Sequence, residues 1–138
     1  MGTTLRVMKH PVAVILSWSL LGLAYLCSTN VRASLWASGM LTTTPGTWVG
    51  RLTPTGSMEP TLGARDWLIY QQVPFGHVRV GDIISFRCPI DQAPVTHRVA
   101  RRLSDGRLIT KGDGNADEDP WIIGPADFRG VLLAVYSE

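Results

Sequence analysis

Residues 11–29 carry no charged side chain, and this run limits what the chain can become more than any other feature. Val12-Ala13-Val14-Ile15-Leu16 and the stretch from Leu20 to Cys27 are strongly apolar. Nineteen residues at about 1.5 Å each make a helix of roughly 28 Å, close to the hydrocarbon thickness of a bilayer. No polar stripe follows a helical period, so a helix half-buried in a water-soluble core fits poorly. Pro11 suits a first helical turn, where its missing N–H costs nothing. A cleaved secretory signal is the rival reading, since the start is basic. Its apolar core, residues 12–27, would run to sixteen residues against the usual ~7–15, with no small-x-small site before Arg32. Arg6 and Lys9 ahead of the run, against Arg32 alone soon after it, favour an N-terminus in the cytoplasm. The expectation is therefore a cytoplasmic segment at 1–10, an uncleaved transmembrane helix at 11–29, a juxtamembrane linker at 30–46 and an extracytoplasmic domain at 47–138.

From Thr47 onward the pattern is β. Trp48 to Thr53, Asp66 to Tyr70, Ile83 to Arg87, Val95 to Leu103, Arg107 to Thr110 and Val131 to Tyr136 are short apolar or alternating runs separated by Gly and Pro. Ser104-Asp105-Gly106 between two of them is a hairpin signal. No amphipathic helix of any length interrupts them, so a mainly β, compact domain with one core is predicted. The chain has 138 residues, enough for one such domain and not two. A net charge of +2 and no basic stretch interleaved with aromatics argue against a nucleic-acid partner. Cys27 and Cys88 make no disulfide framework.

The candidate chemistry starts at Ser57, which follows Gly56 and precedes the turn-forming Pro60. Those residues alone would also make an inert Gly-Ser-Pro turn. A serine nucleophile needs a base. His77, in Pro74-Phe75-Gly76-His77, has the company of a turn. His97 lies in a strand, where its side chain takes one defined face. Only Lys9 and Lys111 could serve a serine-lysine mechanism, against eleven arginines that could not. Asp113, Asn115 and Asp117 have the first three spacings of a calcium loop. However, Glu118 stands where the tight turn wants Gly, and Gly124 where a bidentate Glu belongs, so no metal is expected. No other cofactor is indicated.

The octet Thr55-Gly56-Ser57-Met58-Glu59-Pro60-Thr61-Leu62 resembles the nucleophile box of type I signal peptidases. Thr96-His97-Arg98-Val99 and Thr110-Lys111-Gly112-Asp113-Gly114-Asn115 narrow the resemblance to the endoplasmic-reticulum kind shared with archaea and some Gram-positive bacteria. It runs from about Leu52 to Tyr136 and includes Val80-Gly81-Asp82-Ile83-Ile84 and Gly130-Val131. In that subgroup a histidine replaces the lysine base. A lysine must lose about three pKa units to act near neutrality, roughly 4 kcal/mol, whereas an imidazole needs orientation more than retuning.

The resemblance implies a signal-peptidase-like, repressor-protease-like β domain after one transmembrane helix. It implies Ser57 as nucleophile, His97 as base, Asp113 as the acid orienting His97, and Asp119 as a second acid supporting the loop or the same imidazole. The Ser57 N–H and the Thr55 hydroxyl would form the oxyanion hole. Met58 and Leu62 would line a shallow pocket for small side chains at the substrate's −1 and −3 positions, although core packing explains Leu62 equally well. The implied activity is removal of signal peptides from secreted precursors at the bilayer, with additional membrane subunits an open question. A bacterial or archaeal plasma membrane is expected ahead of the endoplasmic reticulum. The alternatives are a membrane-tethered, non-catalytic β module and a self-cleaving serine-lysine domain.

Overall fold

The computed structural model describes residues 4–7 and 45–137. Seven antiparallel strands form one sheet: β1 (Thr4–Val7), β2 (Thr47–Arg51), β3 (Trp67–Gln71), β4 (Ile83–Arg87), β5 (Pro94–Arg102), β6 (Leu108–Lys111) and β7 (Phe128–Ser137). The order is β2-β3-β7-β4-β5-β6, with β1 attached to β7. The mainly β expectation holds, and each predicted run becomes a strand within a few residues of its expected ends. The β5–β6 hairpin closes where Ser104-Asp105-Gly106 indicated. Leu103 N–H donates to Arg107 O at 2.8 Å, and Gly106 takes φ +84°, a left-handed conformation that glycine adopts without strain.

Alternation along the strands puts apolar side chains on both faces. Ile84, Phe86, Val99, Leu108, Ile123 and Val131 belong to one cluster; Met58, Leu62, Leu68, Ile83, Leu132 and Val135 belong to a second. Neighbours such as Ile83 and Ile84 therefore serve opposite faces, as a period of two requires. On the second face Trp48 stacks on Tyr70 with ring centroids 5.4 Å apart. The Tyr70 hydroxyl shares a 2.7 Å hydrogen bond with Thr96, and burial pushes its pKa up to about 12 against the opposing effect of that bond. This contact fixes the strand that carries His97.

The expected helix at 11–29 lies outside the described residues, as does Cys27; Cys88 is a buried free thiol. Among the described residues no helix is long and apolar enough to cross a membrane. The N-terminal segment departs from expectation. Thr4–Val7, assigned by sequence to a separate cytoplasmic segment, pair with Ala134–Ser137 of β7. The reason lies in β7, which outruns its neighbour: β4 pairs only with Phe128 to Val131, leaving the rest of that edge open to another strand.

Gly130 sits where the sheet leaves no room for a side chain. A Cβ there would collide with the Trp48 ring and lie 2.7 Å from the Gln71 carbonyl. Gly130→Ala should destabilise the domain by about 1–3 kcal/mol in denaturant unfolding, because backbone and an indole must both shift. Gly76→Ala, which meets nothing within 4 Å, serves as the comparison and should come closer to neutral.

Candidate active site

The nucleophile box folds as a tight turn. Gly56 takes φ +75°, Glu59 N–H donates to Gly56 O at 3.0 Å, and Leu62 N–H donates to Met58 O at 2.9 Å. Met58 and Leu62 are buried in the second core cluster, so the turn is anchored on both sides of its bend. Ser57, just before Met58, stays partly exposed. The loop after β6 supports this turn from beneath. Gly114 N–H donates to Ser57 O at 2.9 Å. A Cβ on Gly112 would lie 2.5 Å from Ser57 O, and one on Gly114 would lie 2.7 Å from Gly56 O. The two glycines thus let one backbone approach another closely, a role that the sequence motif did not reveal.

Above the turn, Ser57 Oγ lies 3.1 Å from His97 Nε2. His97 Nδ1 lies 2.7 Å from Asp119 Oδ2, with both side chains buried. The same carboxylate oxygen accepts a 2.6 Å hydrogen bond from the Thr110 hydroxyl. The Thr55 hydroxyl donates to Ser57 Oγ at 3.1 Å, and Ser57 N–H points at Thr55 Oγ at 3.4 Å. The two expected oxyanion donors are therefore side by side. A small cavity of about 50 Å³ opens beside them, lined by Leu52, Thr53, Thr55, Ser57, Met58 and Leu62 among others. Leu62 is both core residue and pocket wall.

Asp113, expected beside His97, pairs elsewhere, while Asp119 takes one of the two places expected of it. Asp113 is held by a bidentate pair with Arg98: Nε to Oδ1 at 2.9 Å and Nη2 to Oδ2 at 2.7 Å. Arg98 also donates from Nη1 to Gly81 O at 2.8 Å. The carboxylate that reaches His97 is Asp119. The separation of the two acids follows from strand alternation. Arg98 is next to His97 on β5 and so points to the opposite face, and it is this side chain that reaches Asp113. Lys111 lies across from Arg98 in the β5–β6 register, and Arg98 rather than Lys111 pairs with Asp113. His77 is exposed in a 3₁₀ turn, Phe75–His77. In the acidic loop Asp113 faces Arg98, Glu118 faces Arg101 and Asp119 faces His97. Among the described residues no group of three or more metal-ligating side chains converges.

Burial pushes the Asp113 carboxyl up. Hydrogen bonds from Arg98 and Thr61, with the nearby positive charge, outweigh it and hold the pKa below the usual range. A carboxyl depressed on folding contributes stability above its unfolded pKa of about 3.9 and loses it as pH falls through the lower folded value. Asp113→Asn should cost about 1–2 kcal/mol at neutral pH, toward the low end because solvent reaches the pair. In urea unfolding this deficit should shrink below about pH 4, where wild type loses the same contribution.

Residues 27–102 match the family described as "Signal peptidase, peptidase S26". Among similar proteins, the signal peptidase complex catalytic subunit SEC11 of Chaetomium globosum is 33% identical over 69 residues, 47% of this chain and 40% of the relative. Its counterpart from Eremothecium gossypii is 40% identical over 70 residues, 47% of this chain and 41% of the relative. That from Pyrenophora tritici-repentis is 36% identical over 69 residues, 47% of this chain and 39% of the relative. The chain thus covers about 40% of the length of these curated relatives. The family match takes in Ser57 and His97 and stops before Thr110, Asp113 and Asp119, so the contact of Asp119 with His97 rests on the geometry. With more than half of its length matched, and with the serine box and histidine strand inside the match, the chain belongs to the signal peptidase family, peptidase S26.

Proposed function

We propose that this chain is a membrane-anchored serine endopeptidase that removes signal peptides from secreted precursors through Ser57, His97 and Asp119. The observation that carries the reading is the continuous path from Ser57 Oγ to His97 Nε2 at 3.1 Å and from His97 Nδ1 to Asp119 at 2.7 Å. His97 accepts the hydroxyl proton at Nε2 as Ser57 Oγ attacks the scissile carbonyl carbon. Asp119 holds the tautomer with its proton on Nδ1 and stabilises the imidazolium that forms. The oxyanion develops beside the Ser57 N–H and the Thr55 hydroxyl, which turns from Ser57 Oγ to meet it. The imidazolium then protonates the leaving amine, and water repeats the sequence on the acyl ester. A cavity of about 50 Å³ beside the serine suits Ala, Gly or Ser at the −1 position.

Cleavage of a precursor by the purified full chain in detergent tests the proposal. Ser57→Ala and His97→Ala should abolish turnover, and Asp119→Asn should lower kcat by about 10⁴. Asp113→Asn should lose far less. Lys111→Met should keep most of the activity. An inactive Lys111→Met beside an active His97→Ala would move the chain to the serine-lysine class.

Membrane attachment through residues 11–29 is part of the proposal. A single crossing there would separate Thr4–Val7 from β7, so insertion and the β1–β7 pairing exclude each other. Transfer of one Val, Leu or Ile out of water gains about 1.5–3 kcal/mol, and the run contains eight. A four-residue strand gains roughly 1 kcal/mol net per hydrogen bond, so insertion outweighs pairing. Protease added to sealed, right-side-out membranes should therefore remove a tag at Glu138 and spare one at Met1. Loss of both tags would mean that β1 stays on the sheet. The relatives are fungal and give no preference for a bacterial or archaeal plasma membrane, so the proposal names a membrane and not its compartment. Their designation as subunits of a complex supports additional membrane subunits here too.

A further inference from the structure

We infer that Thr110 is a positioning residue of the site, clamping Asp119 so that its carboxylate meets His97 in one orientation. The inference rests on the serine-histidine-aspartate reading and adds a residue to it. Asp119 belongs to no strand; it sits in the loop between β6 and β7. Its terminal torsion is broad and two-fold, so one hydrogen bond to an imidazole would leave the carboxylate plane poorly fixed. Thr110 supplies two further restraints from a single residue. Its hydroxyl donates to Asp119 Oδ2 at 2.6 Å, the oxygen that also faces His97 Nδ1. Its carbonyl accepts the Asp119 N–H at 2.8 Å. Backbone and side chain of the acid are thereby tied to the same point of the sheet.

The sheet register explains why that point is correct. Thr110 stands opposite Val99 across the β5–β6 pair, and Val99 shares a face with His97 two residues earlier on β5. The Thr110 hydroxyl therefore emerges on the face that carries the imidazole. Thr110 is completely buried, so no water competes for its proton. Its β-branched side chain restricts χ1, which keeps the donor in place. The hydroxyl has no chemistry of its own in the reaction; it acts through Asp119.

The test uses the full chain in detergent and a precursor-derived peptide with Ala at −1 and −3, with rates normalised to the folded fraction from circular dichroism. Thr110→Val preserves shape and removes the donor. It should lower kcat about ten- to a hundredfold, a share of the 10²–10⁴ that a general base contributes, with KM within about twofold of wild type. Thr110→Ser restores the hydroxyl and should recover kcat to within about threefold. The downfield proton resonance of His97 Nδ1–H should move or broaden in Thr110→Val and return in Thr110→Ser. If Thr110→Val fails to fold, Thr110→Ala takes its place in the same comparison with Thr110→Ser. Wild-type kcat and an unmoved resonance in the folded variant lacking the hydroxyl would overturn the inference. Turnover surviving in Ser57→Ala or His97→Ala would instead overturn the underlying serine-histidine reading, whatever Thr110 does.

Discussion

The site depends on a close approach of two backbones. The turn holding Ser57 and the loop following β6 meet where Gly114 N–H donates to Ser57 O, with Gly112 and Gly114 leaving no room for a Cβ between them. This contact holds Ser57 against β5, where His97 is fixed by the sheet. The opposite side of the turn is held by Met58 and Leu62 in the core. A serine held at both its backbone and its neighbouring side chains keeps its hydroxyl near His97 at little further entropic cost.

The two carboxylates of the loop have separate physical duties. Asp113 faces a guanidinium in a fork geometry that holds both of its oxygens. With Arg98 also on Gly81 O and Thr61 contributing to Asp113, this pair joins the base strand, the preceding turn and the nucleophile box. Asp119 is buried with an imidazole and a hydroxyl, where an unsatisfied carboxylate would be costly. The separation keeps Arg98's charge off the acid beside His97. A carboxylate shared with an arginine would be a weaker partner for an imidazolium.

The long strand β7 links the site to the start of the chain. β3 covers one of its edges; β4 covers only the first part of the other, and β1 takes the remainder. Arg6 on β1 reaches Thr61 O at 3.1 Å, so an N-terminal segment lying on the sheet touches the nucleophile box directly. A chain whose residues 11–29 enter a bilayer gives up that contact, and membrane insertion and the surroundings of the box are thus physically linked.

The sequence by itself determined the β character and most strand positions, and it singled out Ser57, His97, Asp113 and Asp119 as candidates. These are local properties: period-two alternation, glycine and proline punctuation, and a short box around Ser57 that the family shares. It did not determine which acid serves His97. Asp113 and Asp119 lie in one acidic run, and nothing in their spacing states which sheet face each will reach; the β5–β6 register decided that, turning Arg98 toward Asp113 and Thr110 toward Asp119. Gly112 and Gly114 read as ordinary members of a turn because their partners, Ser57 and Gly56, lie far away in sequence, and Thr110 read as an ordinary strand residue. Pairing of Thr4–Val7 with β7 was equally illegible, since a segment preceding an apolar run carries no local sign of a distant open edge. Local pattern fixes what a residue can do; only the assembled sheet brings together the groups with which it does it.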